Sequence, residues 1–426
     1  MTFGGVEIIN APRTEAYAHG AGLGWFYGCD DCPNLGMGLG DGQYGSPIAD
    51  NADWVDPDNP DTWRFYGLYP LSITGIEDST VMASAVEALG DGGIVTIPRV
   101  ATRTVVVAGM LIASDDNAND TGMNWLRAAL RGSPCGPQTV GCTGDDVCFM
   151  LGCPQVCGDS DGEEELCVDQ YMVHMHQVTT IEGPKVTAKH AMSDGGSVWE
   201  IEFTMVAAKP WICSEGQPVI HAGSLPGDPN PFKPIYNVAT RSCAEPIIPT
   251  FTDPTCPPLP KPYAYPYVPL NCFQLPTNWD RYSMRIPAAQ IPRWSQAVPV
   301  INIQAGSAKA MKFVRVRFYE DPLNWFDPSA LDECGFCSEF LVQYIPANWT
   351  ITIDGMTETI MMANGSLTDN IPDTLYNAAN SVTSTDDTGF TWPSLTCGAG
   401  YVMTFDVPHG DHPPANVDVT IYHRSA

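Results

Sequence analysis

The sequence predicts a mainly β protein in two parts. The first half reads as a β-barrel or sandwich with one packed helix, and the second as a jelly-roll β-sandwich. Three observations lead there. Charged residues fill only 16% of the 426 positions while hydrophobic residues fill 44%, against about a quarter charged in an average domain. Thirty-eight prolines and 39 glycines cut the chain into short segments. Within those segments apolar and polar residues alternate, the period of a half-buried strand.

A first strand is expected at residues 5–9. Glycines follow at 20, 22 and 24, and again at 36, 38, 40 and 42. No helix pattern follows either run, so neither offers a phosphate a helix N-terminus, and both read as tight loops. Residues 50–66 are acidic and aromatic. Asp50, Asp53, Asp56, Asp58 and Asp61 lack the spacing of a calcium loop. The stretch reads as a solvated loop anchored by Trp54, Trp63 and Phe65. A short strand at 71–73 and a short helix at 79–89 come next.

The first half is organised around residues 94–132. Val105, Val106 and Val107 are stiff at χ1 and favour a strand, which Arg103 opens. Gly109 interrupts it, as a bulge or a close backbone approach does. Ser114, Asp115, Asp116 and Asn117 turn the chain. Asp120 and Thr121 are candidate N-caps. Met123, Leu126 and Leu130 then recur at helical spacing beside Trp125 and Ala129, and Gly132 stops the helix. Residues 133–168 hold Cys135, Cys142, Cys148, Cys153, Cys157 and Cys167. Strands resume at 171–179. A hairpin closes the half, with one arm at 185–189 and a turn at 193–196. In its second arm Trp199, Ile201, Phe203 and Met205 alternate with Glu200, Glu202 and Thr204.

Fourteen prolines fall between Pro218 and Pro269. They mark residues 214–272 as a linker or wrapping arm of polyproline character, with Tyr263, Tyr265 and Tyr267 to lay it on a surface. The arm separates a domain at 1–213 from one at 273–426. In the second domain Tyr282, Met284 and Ile286 alternate with arginines and a serine. Val314, Val316 and Phe318 alternate with Arg315, Arg317 and Tyr319. Trp349, Ile351 and Ile353 lead into a turn at Asp354 and Gly355. Further strands around Val298, Phe340, Tyr401 and Val417 complete a set of about eight, the pattern of a sandwich or jelly roll.

Charge and motifs narrow the function. The net charge is −29. Before Cys213 there are nine basic and 29 acidic residues, and after it 11 and 20. No basic stripe is available to track a phosphate backbone. The acidity serves solubility, or keeps nucleic acid from sticking. Residues 1–25 lack the basic and apolar regions of an export signal. No apolar run approaches the roughly 18 residues of a membrane span. The chain is therefore expected to be made in a cytosol, without membrane insertion. Fifteen cysteines fit an oxidising compartment better, and an odd number leaves at least one thiol unpaired, bridging or metal-bound. Cys29 with Cys32 and Cys334 with Cys337 have zinc-knuckle spacing but lie about 300 residues apart. The six cysteines of 133–168 are the other candidate ligands, and His174 and His176 share one strand face. Disulfides, zinc and buried thiols all stay open. No nucleophile elbow, His-Glu-x-x-His or Walker loop occurs, so no catalytic residue is assigned.

One family accounts for these features together. Pro98 and Arg99, the run RTVVVAG at 103–109, Ser114 and Asp115, Trp125 and Leu126 through Leu130, Cys135, and the closing Ala208, Lys209 and Pro210 resemble the N-terminal domain of distal tail proteins. These belong to long, flexible-tailed bacteriophages, particularly those of actinobacteria. VINIQAG at 300–306, TIDG at 352–355, LTCGAGY at 395–401 and Phe405 with Asp406 resemble their C-terminal domain. The resemblance implies an N-terminal belt domain that forms a hexameric ring continuing the tail tube, with galectin-like β-sandwiches projecting from it. The implied partners are other copies of the chain, the tail tube protein, and the hub or baseplate with other minor tail proteins. DNA passes through the lumen without specific binding. The implied location is the tail tip of the virion, after assembly in the host cytoplasm, with no cofactor and no catalysis. Arg99, Arg103, Asp115, Asp116, Trp125, Leu126 and Leu130 are the candidate ring-interface residues. Two other readings remain. One is a glycan-binding module, in which Trp294, Trp325, Trp349 and Trp392 stack on sugars or else sit in the core. The other is a cell-wall hydrolase, which the missing motifs count against.

Overall fold

The computed structural model of the chain describes residues 1–24, 44–78, 81–87, 93–96, 99–132, 144–153, 156–158, 164–166, 168, 171–192, 195–218, 236–239, 278–291, 296–321, 335–364, 375–384, 390–395, 400–408, 414 and 416–425. The chain divides into two compact units. One comprises Met1–Gly136, Gly141–Glu215 and Arg424–Ala426; the other comprises Pro137–Val140 and Gly216–His423.

The first unit opens with β1 (Thr2–Phe3), β2 (Val6–Glu7) and a helix, α1 (Ala11–Gly20). The sequence pattern shows only a loop where α1 lies, because its buried residues, Thr14, Tyr17 and Ala18, make no apolar stripe. Its start is legible: Asn10 is extended and accepts a hydrogen bond from the Arg13 N–H, and Pro12 sits in the first turn, where no N–H is needed. A single turn, α2 (Pro60–Trp63), is capped the same way by Asn59.

Next come β3 (Phe65–Thr74), β4 (Val81–Met82), β5 (Ala85–Glu87), β6 (Gly93–Val95), β7 (Arg99–Val100) and β8 (Arg103–Ala113). β4 pairs with β7 and β5 with β6. The described residues between 81 and 100 thus pair as an antiparallel ribbon, where the sequence predicts a helix at 79–89. Cross-strand pairing and the β-branched Val81, Val86 and Val95 outweigh a weak helical spacing. The expected helix after β8 is present as α3 (Asp116–Ala129). Its cap is Asp115, which accepts from the Ala118 N–H at 3.0 Å, so the polar run at 115–117 begins the helix five residues ahead of Asp120.

β9 (Asp145–Met150), β10 (Val156–Gly158), β11 (Glu164–Leu166), β12 (Met172–Ala191), β13 (Ser197–Ala207) and β14 (Ile212–Ser214) complete this unit. The two segments expected at 171–179 and 185–189 are one strand, β12. Register shifts between Thr180, Glu182 and Lys185, and again between Val186 and Ala188, bend it without ending it. The sheet order β3–β8–β13–β12 is antiparallel throughout. The first part of β12 also carries β9 on one side and β14 on the other.

Val105, Val107 and Leu111 of β8 meet Trp199, Ile201, Phe203 and Met205 of β13 in the core, under Met123 and Leu126 of α3. Helix and sheet come close because Gly122 has no side chain. A Cβ there would lie 2.3 Å from the Phe65 ring. Gly109 meets both expectations: the pairing with β13 runs through it without a shift, but the β3 register shifts beside it, between Pro70 and Ser72, and a Cβ would lie 2.8 Å from the Tyr69 carbonyl.

The second unit is a sandwich built from β15 (Gln217–Pro218), β16 (Tyr236–Ala239), β17 (Asn278–Ile286), β18 (Gln296–Gln304), β19 (Met311–Asp321), β20 (Ser338–Ile345), β21 (Trp349–Asp354), β22 (Thr359–Asn364), β23 (Leu375–Asn377), β24 (Val382–Thr383), β25 (Gly400–Pro408) and β26 (Asn416–Ser425). One sheet has the order β16–β17–β25–β19–β20–β24; the other runs β26–β18–β21–β22–β23. Met284, Val316 and Phe405 of the first sheet share a core with Ile303, Ile351 and Val419 of the second. The alternation read from the sequence places these residues inward.

Alternate positions of the first sheet hold a buried ion cluster. Asp406 lies in register between Arg281 and Arg315, at 2.6 Å from Arg281 Nε and 2.6 Å from Arg315 Nη2. None of the three is more than 4% exposed. Burial alone would raise the Asp406 pKa, but the two guanidiniums hold it below the usual carboxylate range.

Two outcomes follow for chemical unfolding of the full chain. Asp406→Asn leaves two guanidiniums uncompensated and is expected to cost about 3–5 kcal/mol in the second unit. Gly122→Ala forces α3 off β3 and is expected to cost about 1–3 kcal/mol in the first.

Candidate assembly surface

Arg103 begins β8 and is 3% exposed. Its Nε donates to the Pro210 carbonyl at 2.8 Å. Its Nη1 donates to the carbonyls of Gly75, Ile76 and Asp78. One guanidinium thus ties together the loop after β3, the start of β8 and the segment after β13. Burial lowers its pKa and Asp78 offsets part of that, while the carbonyls satisfy its donors.

The other candidate interface residues also shape the unit they belong to. Asp115 caps α3 and pairs with Arg64, which also pairs with Asp61. Asp116 accepts from Ser197 Oγ and from Trp199 Nε1. Those two donors hold its carboxyl below the usual range. Trp125 is half-buried, edge-on to Trp54 at 5.2 Å and near Phe65. Leu126 and Leu130 are buried in the core, and Leu130 also lines the cavity at the end of α3. Arg99 stands exposed on the ribbon.

Strand edges without a described neighbour lie elsewhere. β3 pairs with β8 alone. Beyond Val178, β12 pairs with β13 alone. No described strand lies on the other side of either. Both edges contain a proline, Pro70 and Pro184, which natural edge strands use to limit indiscriminate pairing. Leu71 on one edge and Ile181 on the other are more than half exposed, as are Val81, Val86 and Val95 on the ribbon. The sheet face opposite the core carries Glu182, Glu200 and Glu202 with Lys185 and His190. Lys185 pairs with Glu202 at 2.8 Å and His190 with Glu200 at 3.0 Å. In sequence these open edges show only as prolines inside strand patterns.

A second polar group occupies β9, β12 and β14. His174 lies in register between Cys148 and Cys213 and bonds Glu215 at 2.6 Å. His176 bonds Asp146 at 2.9 Å, and the two rings stack 6.5 Å apart. Hydrogen bonding to Cys148, then to Glu215, pushes the His174 pKa up to about 9 against burial. Burial opposes charge on His176 too, but Asp146 and Cys213 push it up to about 10.

Cys148, Cys213 and Cys337 carry free thiols, and Cys153 is in a disulfide. Cys157 lies on β10. Cys29, Cys32, Cys135, Cys142, Cys167 and Cys334 lie outside the described residues, as do Trp294 and Trp325. Among the described residues no three His, Cys, Asp or Glu side chains are grouped to hold a metal ion, and no helix is long and apolar enough to cross a membrane. Trp349 and Trp392 pack against the sandwich core.

No family model and no curated protein matches the chain. Among solved structures it is similar to the SPP1 Dit protein, described as a paradigm of the hub adsorption apparatus in phages infecting Gram-positive hosts. The TM-score is 0.37 and the identity 9%, covering 86% of this chain and 96% of that one. It is also similar to a chain of the phage P2 baseplate in its activated conformation with Ca. There the TM-score is 0.37 and the identity 9%, covering 84% and 91%.

The histidine pairs predict a pH dependence. Both folded-state pKa values lie above the ordinary 6.5, so the stabilisation is complete below that pH and fades as pH rises through about 9 and 10. Thermal melts of the full chain across this window are expected to show a falling Tm for the first unit. The double variant His174→Asn, His176→Asn is expected to flatten the fall.

Proposed function

We propose that the chain is a structural virion protein that closes into a hexameric ring at the distal end of a phage tail, joining the tail tube to the tail-tip hub. The observation that supports this best is the sheet β3–β8–β13–β12, whose two outer edges have no described strand beside them. Its four strands alternate in direction. Copies set head to tail therefore bring β3 of one antiparallel to β12 of the next, and the unpaired N–H and C=O groups meet. Such a joint is heterologous, and it forms a ring when its rotation closes. The ribbon at 81–100, with its exposed valines, provides a second contact between copies.

The sequence resemblance to distal tail proteins supports six copies, the tail-tip position, and the tail tube protein and hub or baseplate as neighbours. On the sheet face away from the core, three glutamates face one lysine and His190. A lumen lined this way repels a phosphate backbone, which suits DNA that passes without specific binding. The task is to hold geometry, and the reading assigns no catalysis and no cofactor.

Leu71→Asp and Ile181→Asp each put a carboxylate on an open edge without entering the core. Light scattering of the full chain is expected to find the unsubstituted protein ring-sized and each variant about tenfold weaker in association, which corresponds to ~1.4 kcal/mol. A chain that stays monomeric at all concentrations, or variants that assemble unchanged, would count against the ring.

A further inference from the structure

We propose that a cavity at the C-terminal end of α3 is the socket for residues 75–78 of a second copy, with Arg127 and Arg131 receiving Glu77 and Asp78. This rests on the ring reading above and specifies what its joint contains.

The cavity measures about 540 Å³ and is lined by Arg127, Leu130, Arg131, Asp145, Thr179 and Thr180, among others. Arg127 and Arg131 stand one helical turn apart and share a face. In a chain of net charge −29, cations are scarce, and a pair of them on one cavity wall stands out. Among the described residues Arg13, Arg64, Lys185, Arg281, Arg315 and Arg317 all have carboxylate partners. Arg127 and Arg131 have none; Arg127 reaches only the Asn124 amide oxygen, at 3.4 Å. Thr180 Oγ1 is buried without a hydrogen-bond partner. Asp145 adds one negative charge to the wall, so the arginines leave the cavity net positive.

The position of the cavity points to its occupant. Thr179 and Thr180 begin the open edge of β12. Within one copy Thr74 of β3 shares a row with Val106, Thr204 and Glu182. Continuing that row across the joint sets the neighbour's Thr74 beside Glu182. The neighbour's strand is antiparallel, so its residues 75–78 run on toward Thr180 and Thr179, to the mouth of the cavity. Glu77 and Asp78 are exposed and supply two carboxylates where two guanidiniums lack them.

The loop that carries them is already shaped. Arg103 draws the carbonyls of Gly75, Ile76 and Asp78 inward. Gly75 has φ +90°, and a Cβ on it would lie 2.0 Å from the Thr104 carbonyl oxygen. A preformed loop loses little entropy on docking. Arg103 is thus a positioning residue for the joint, although its own side chain is buried.

Charge reversal of the full chain tests the socket. Arg127→Glu with Arg131→Glu, and separately Glu77→Arg with Asp78→Arg, are each expected to weaken association at least tenfold by light scattering. The fourfold variant is expected to regain assembly, and circular dichroism checks that every protomer folds. Unchanged assembly in both double variants, while Leu71→Asp and Ile181→Asp still disrupt it, would refute the socket and leave the ring standing. A fourfold variant that fails to recover would also refute the socket. Absence of any assembly in the unsubstituted chain would refute both.

Discussion

Backbone N–H and C=O groups in a sheet need a strand on each side, water, or some other partner. Among the described residues of the first unit, β8 and β13 have strands on both sides; β3 and the far part of β12 have a strand on one. The other features of the unit bear on those two edges. α3 and the apolar core cover one face of β8 and β13, which leaves the outer strands' edges to the side. An even number of alternating strands lets the sheet repeat without reversing direction. Pro70 and Pro184 limit pairing in the wrong register.

Arg103 links this architecture to the proposed joint. Its guanidinium is costly to bury, and four carbonyl contacts offset the cost. They also fix the 75–78 loop at the end of the edge strand β3. The same physics operates in the second unit, where Asp406 and two arginines satisfy one another inside the sandwich. There the buried charges stabilise a single protomer, whereas Arg103 shapes a surface.

The strands of both units were largely legible in sequence, because alternation depends only on which face is buried. β8, β13, β17, β19 and β21 are cases in point. Features set by long-range pairing were not. β12 looks like two strands, since Gly183 and Pro184 resemble a break and only pairing with β13 carries the strand through. The ribbon at 81–100 resembles a helix until its second arm lies beside it. α1 has a clear cap but no apolar stripe. For the candidate site, sequence pattern picks out Arg103, Trp125, Leu126 and Leu130, residues that are distinctive because they build the protomer. The open edges follow from sheet order, which no local pattern encodes. Arg127 and Arg131 look like any solvated helix charges until their lack of carboxylates and the cavity beside them are seen together.

The central claim is that β3 of one copy pairs with β12 of the next. Electron cryomicroscopy of the assembled full chain tests it most directly. The account predicts a sixfold ring whose inner wall is an antiparallel sheet, continuous in hydrogen bonding across every joint, with residues 69–74 beside residues 180–190 of the next copy. A ring whose joints leave both edges in solvent, or that meet through other faces, would contradict it.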